Sequence, residues 1–113
     1  MIGMSEDKKN VEPMRLTAAV AQKRIRELAQ RSTNLVWGTH IFERMEEREL
    51  FDVDVLRILR GGYVEEAPEQ TERGEWKCKI TLKIRGTRTA GVVVIFLQLG
   101  KLFLKTVEWE DLK

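Results

Sequence analysis

The stretch Trp76-Lys77-Cys78-Lys79-Ile80-Thr81-Leu82-Lys83-Ile84-Arg85 alternates without a break. Trp76, Cys78, Ile80, Leu82 and Ile84 share one parity; Lys77, Lys79, Thr81, Lys83 and Arg85 share the other. Successive side chains of a strand point to opposite faces, so this run predicts a β-strand with one apolar and one basic face. Downstream, Arg85-Gly86-Thr87-Arg88 supplies a turn, and the run from Ala90 to Leu99 is nearly all apolar and rich in β-branched residues. That composition predicts a central strand covered on both faces. Gly100 turns the chain into a last strand, Leu102 to Trp109. Upstream, Tyr63-Val64 is a short strand candidate, followed by Pro68 and a polar loop through Gly74. The second half of the chain therefore reads as an antiparallel meander.

The first half has a helical period. Thr17 is placed to cap a helix on which Ala18, Ala21, Ile25, Leu28 and Ala29 form one apolar face. Lys23, Arg24, Arg26 and Arg31 lie off that face, as a solvated surface or a basic arm for nucleic acid. Ser32-Thr33-Asn34 ends the helix. A second helix is expected from an N-cap at Thr39 to Arg48. A third is expected from Asp52, with Phe51 packing on Leu56 as a hydrophobic staple and Val55, Leu56 and Leu59 facing inward. Gly61-Gly62 stops it, since glycine tolerates a left-handed cap. The expected organisation is a flexible tail over 1–13 and a single α+β domain over 14–113. Its N-terminal helices pack on one face of a roughly four-stranded antiparallel sheet.

Composition narrows the function classes. At 113 residues the chain suits one modest core. Its 20 Lys and Arg nearly balance its 18 Asp and Glu, so total charge does not demand nucleic acid. One cysteine forbids an internal disulfide, and one Cys with one His argues against a zinc site; no cofactor is expected. The start of the chain lacks signal-peptide grammar, and the apolar run Val92 to Leu97 is far shorter than the roughly 20 residues of a membrane span. The expectation is a cytoplasmic protein with no membrane contact.

Chemistry is suggested first by His40-Ile41-Phe42-Glu43-Arg44-Met45-Glu46-Glu47-Arg48. On a helix, steps of four residues drift by roughly 40°, so His40, Arg44 and Arg48 form one stripe beside the apolar Ile41 and Met45. Unpaired, the two guanidinium groups make a forked anion site suited to phosphate. Glu43 or Glu47 can instead close an ordinary ion-pair network. Lys77, Lys79, Lys83 and Arg85 form either a basic track for a polynucleotide backbone or a charged, aggregation-resistant face. Tyr63 is a candidate for base stacking. Thr106 shares parity with Leu102 and Leu104, which points its hydroxyl toward a buried or cleft position. Glu108, Glu110 and Asp111 read as surface residues.

The segment His40-x-x-x-Arg44-Met45-x-x-Arg48, with Asp54-Val55, Leu59, Gly62-x-Val64, Val92-Val93-Val94 and Lys105-Thr106-Val107, resembles a prokaryotic family of unknown function, family 4258. The resemblance spans roughly 40–108. That family is similar to the compact ribonuclease fold of RelE-type toxins and of barnase-like and colicin-type nucleases. The resemblance implies helices followed by a four-stranded antiparallel sheet with a cleft between them, and a site made by His40, Arg44, Arg48 and Thr106. It also implies RNA as substrate and an antitoxin protein as a possible partner.

The expected activity is metal-independent RNA cleavage by attack of the 2′-OH on the adjacent phosphate. In it His40 moves the proton, Arg44 and Arg48 stabilise the charge on phosphate, Lys79 or Lys83 holds the backbone, and Thr106 donates a hydrogen bond. With one histidine, the second proton falls to Tyr63, a lysine, a carboxylate or water. The rival expectation is a non-catalytic anion-binding or protein-interaction domain, and a small-molecule enzyme is a third.

Overall fold

A computed structural model describes residues 16–111; the tail read over 1–13 lies outside them. In chain order come α1 (Ala18–Leu28), β1 (Leu35–Trp37), α2 (Thr39–Arg48), α3 (Asp52–Gly61), β2 (Glu69–Gln70), β3 (Trp76–Arg85), β4 (Arg88–Phe96) and β5 (Leu102–Trp109). The class is α+β, but the sheet has five strands, ordered β1-β5-β4-β3-β2, and it is mixed. The β3–β4–β5 meander is antiparallel, as the alternation predicts, and β2 adds an antiparallel edge. β1 pairs with β5 in parallel, Leu35 opposite Leu102 and Trp37 opposite Leu104. The expectation of four antiparallel strands fails here because three residues are too few to show a period and their partner is remote in sequence.

Local rules explain most helix ends. The Thr17 hydroxyl accepts the Val20 N–H at 3.2 Å and starts α1. Gly38 rather than Thr39 is the N-cap of α2. Phe51 rather than Asp52 is the N-cap of α3, and Asp54 reaches back to accept the Phe51 N–H at 2.8 Å. The Phe51 ring is not a buried staple: the residue is 61% exposed and lies under the Arg85 guanidinium. Gly62 ends α3 in an extended conformation, not a left-handed one. Its glycine is required by close approach, since a Cβ there would stand 2.5 Å from Ile58 O and 2.7 Å from Thr81 O.

The C-terminal ends of α1 and α3 are tied together by two arginines. Arg26 of α1 donates to Gly62 O from Nε at 2.9 Å and from Nη2 at 2.6 Å. Arg60 of α3 donates from Nε to Ala29 O at 2.8 Å. Each cation satisfies a carbonyl left open at the other helix's negative end. Within the supposed basic arm, Arg26 is therefore a structural clamp.

All three helices bury their apolar faces against one side of the sheet. Ala21, Ile25, Ile41, Met45, Val55, Ile58 and Leu59 pack with Ile80, Val92, Val94, Leu102, Leu104, Val107 and Trp109. β4 is central, but this cover lies on one of its faces; Val93 and Ile95 stay half-exposed on the other. The implied cleft between helices and sheet is thus filled by the core. Among the described residues no helix is long and apolar enough to cross a membrane.

Two bulges overturn the simple parity. Val93 pairs with Thr106 but Val94 pairs with Leu104, leaving Lys105 as an extra residue. Leu102 and Leu104 are buried, and after the bulge Val107 and Trp109 are. Thr106 therefore faces away from the core, opposite to Leu104. Likewise Lys83 pairs with Thr89 and Arg85 with Arg88, which makes Ile84 extra and turns Arg85 to the helix side.

Candidate functional site

The pairing register maps the sheet face that the helices leave open. Paired residues stand side by side on one face. The first row runs Val36, Phe103, Ile95, Lys77 and Glu69 across all five strands. The second runs Thr106, Val93 and Lys79. The third runs Glu108, Gly91 and Thr81, with Tyr63 joined to Thr81 by an isolated bridge. The bulge adds the exposed Lys105 beside Thr106.

Lys79 is the centre of this face. Its Nζ is 2.8 Å from Glu110 Oε1 and 3.4 Å from Glu108 Oε2. The hydrogen bond to Glu110 is the main reason that the Lys79 pKa rises above its ordinary value. Lys79 is therefore a fixed cation near neutral pH and a poor proton donor. Gly91 makes the pair possible: a Cβ there would stand 2.8 Å from Glu110 Oε2 and 3.0 Å from the Lys79 Cδ. Glu110 Oε2 is buried with no hydrogen-bond partner among the described residues. Around this pair lies a hollow of about 370 Å³, lined among others by Glu65, Glu66, Glu69, Lys77, Lys79 and Glu108. Cys78 also lines it, but burial pushes its thiol up to about 11, so it is not a nucleophile at neutral pH.

The residues singled out from the sequence divide between the two sides. Lys77, Lys79 and Thr106 share the open face, with Lys83 further along β3. His40, Arg44 and Arg48 are on α2, whose Ile41 and Met45 pack on the opposite face. The His40 side chain is 75% exposed and sits 3.6 Å from Glu43. Glu47 lies between the arginines, 2.8 Å from Arg44 Nη1 and 3.7 Å from Arg48 Nη1. The ion-pair alternative is the one realised, and these three groups do not converge with Thr106. Arg85 is spent on Asp54 Oδ2 at 2.8 Å and Glu49 O at 3.0 Å. The Tyr63 ring is covered by Arg26, 5.0 Å from its centroid.

Sequence reading missed Glu108, Glu110 and Gly91. Glu108 was signalled by its parity, opposite to the apolar Val107 and Trp109. Gly91 had no signal, because its role depends on a neighbour from another strand. Among the described residues no group of three or more His, Cys, Asp or Glu is arranged to hold a metal ion.

Comparison with known proteins is sparse. No curated protein and no solved structure matches the chain. The family model described as Domain of unknown function (DUF4258) matches residues 37–109, which takes in α2 through β5 with only Trp37 of β1 and leaves out α1. That match covers more than half of the chain, and the protein belongs to the DUF4258 family.

Proposed function

We propose that this protein is a metal-independent endoribonuclease with its reaction centre on the open sheet face, built on the ribonuclease fold of RelE-type toxins and barnase-like nucleases. The observation that carries the reading is Lys79, a fixed ammonium held between two carboxylates in a solvent-reachable hollow. Cleavage by internal attack needs a base for the 2′-OH proton and a cation for the charge that builds on phosphate. Glu108, the more exposed carboxylate, is the base. Lys79 stabilises the phosphate. Glu110 positions Lys79, and Thr106, in the neighbouring row, donates to a phosphate oxygen. The 2′-oxygen bonds to phosphorus, the P–O5′ bond breaks, and the leaving oxygen takes a proton from water or from protonated Glu108. The products are a 2′,3′-cyclic phosphate and a 5′-hydroxyl end.

The test is incubation of purified protein with end-labelled single-stranded RNA in EDTA, with the cyclic phosphate scored. Cleavage that disappears in Lys79→Gln and persists in an Arg44/Arg48 double substitution supports the reading. Cleavage that survives Lys79→Gln defeats it.

A second reading has its own observation. The lining of the hollow includes the carboxylates Glu65, Glu66, Glu69, Glu108 and Glu110 against the ammonium groups of Lys77 and Lys79. That excess suits a non-catalytic domain that receives a basic segment of a partner protein. Tight binding of a Lys/Arg-rich peptide at low salt, with no RNA cleavage, favours this reading.

A further inference from the structure

Charge is divided unevenly between the two sides of the sheet. The hollow at Lys79 is lined by more carboxylates than ammonium groups, so it cannot by itself hold a polyanion. The helix side has the opposite balance. Lys23, Arg24, Arg26 and Arg31 lie on or just after α1, and Arg57 and Arg60 on α3. Against these six cations the two segments expose only Glu27 and Asp52, because Asp54 is buried and bound to Arg85. Among the described residues none of the six forms an ion pair. The cations that do are His40, Arg44, Arg48, Lys79, Arg85 and Arg88, on α2, β3 and β4.

The fold gathers these charges on one surface. Arg26 reaches Gly62 O while Arg60 reaches Ala29 O, contacts that run in opposite chain directions, so α1 and α3 lie side by side and antiparallel. Gln22 continues the seam, its Oε1 accepting the Val64 N–H at 2.9 Å. Two residues turn a helix by roughly 200°. Lys23 is two residues past the buried Ala21, Arg57 two past Val55 and Arg60 two past Ile58, so all three turn away from the sheet to solvent. The carbonyl contacts fix the Arg26 and Arg60 guanidinium groups without cancelling their charge. Among the described residues Arg60 is engaged only through Nε, which leaves its two Nη groups for a phosphate fork.

The chemistry favours a polynucleotide. Five of the six cations are arginine, whose planar fork matches phosphate oxygens. A membrane-surface helix keeps its apolar face for lipid, whereas that of α1 is consumed in the core. At the edge of the surface stands Tyr63, with the Arg26 guanidinium 5.0 Å from its ring centroid and yet 55% exposed. Its backbone is bridged to Thr81, which is two residues from Lys79 on the open face, roughly 7 Å along β3. The tyrosine thus joins the basic surface to the reaction centre, and a ring beside phosphate-holding guanidinium groups is a stacking place for an unpaired base.

We propose that the outer surface of α1 and α3 binds the phosphate backbone of single-stranded RNA, with Tyr63 stacking a base where the strand turns toward Lys79. The inference rests on the ribonuclease reading for the identity of the polynucleotide, and it supplies the cations that the hollow lacks.

The test is fluorescence anisotropy over a salt series with a 2′-O-methyl oligoribonucleotide, which cannot be cleaved. Lys23→Gln/Arg57→Gln removes two exposed charges with no role in the core. It is expected to weaken binding and to flatten the slope of log affinity against log salt by about 1.4, the share of two phosphate contacts on a single strand. Tyr63→Ala is expected to weaken binding about 5- to 150-fold, the range for one stacked base, and Tyr63→Phe to bind as wild type does. Equal affinity and salt slope in the double variant and wild type overturn the surface, as does tighter binding of poly-glutamate or of phosphatidylserine vesicles than of RNA. Wild-type affinity in Tyr63→Ala overturns the stacking role. Cleavage of a dinucleotide, which engages the reaction centre alone, is expected to be unchanged in the double variant. Dinucleotide cleavage with no effect of the double variant on RNA binding removes the surface and leaves the ribonuclease reading. RNA binding that depends on Lys23 and Arg57 with no cleavage removes that reading and leaves the surface.

Discussion

Asp54 and Arg85 join the start of α3 to the end of β3: Asp54 Oδ2 accepts from Arg85 Nη2 at 2.8 Å while also accepting the Phe51 N–H at 2.8 Å. One carboxylate, 7% exposed, thus caps a helix and anchors the sheet to it. Arg85 adds a donation to Glu49 O and lies 5.7 Å from the centre of the Trp109 ring. Asp54→Asn keeps the shape and removes the charge. It is expected to cost about 2 kcal/mol, as a lost cap and a weakened charged hydrogen bond, measured by urea denaturation. The figure stays below that of a fully buried pair because the Arg85 side chain is 40% exposed. An unchanged midpoint would show that the contact contributes nothing.

Gly91→Ala tests the packing of the Lys79–Glu110 pair without touching either charge. The new methyl group stands 2.8 Å from Glu110 Oε2, so the carboxylate and the lysine stem have to shift. The domain is expected to fold, with RNA cleavage reduced about 10- to 100-fold through misplacement of Lys79. Single-turnover kinetics read the effect, and full activity would remove Glu110 as the positioning group.

Lys79→Gln and His40→Ala separate the two sides of the sheet. Loss of the ammonium is expected to reduce cleavage about 100- to 1000-fold, the usual cost of one preorganised charge stabiliser. His40, 75% exposed on α2, is expected to be replaceable with no change in rate or in the pH profile. A loss of cleavage in His40→Ala would return the reaction to the helix side.

Cys78 sets an alkaline limit on stability. Burial raises its thiol from 9.0 to about 11. A raised folded-state pKa gives stability that is complete below the unfolded value, declines as pH climbs through the interval, and is gone above the folded value. The decline is therefore expected between about pH 9 and 11, with an order of magnitude of about 3 kcal/mol across it. Lys79, raised by Glu110, acts in the same direction at still higher pH. Cys78→Val is expected to flatten the stability profile over that window in denaturation curves taken at successive pH values. A profile identical to wild type would exclude the thiol.

Much of the architecture was legible because it obeys local periods. The alternation from Trp76 to Arg85 marked β3, and Ala21, Ile25 and Ala29 marked the buried face of α1. Thr17 announced its helix by capping chemistry alone. The site was legible only in part. Lys77 and Lys79 were marked by parity, but the partners of Lys79 come from β5 and the turn after it. The parity that aimed Thr106 inward stopped counting at Lys105.

The residue order alone determined which segments are helix and which are the three long strands, because hydrophobic period and capping act between near neighbours. Tertiary structure decided the rest: the parallel seat of Leu35–Trp37 beside β5, the side of the sheet to which Thr106 and Arg85 turn, and the pairing of Lys79 with Glu110 over Gly91. Those outcomes depend on contacts between residues far apart in the chain. One unpaired residue in a strand exchanges the faces of everything after it, and no local pattern records it.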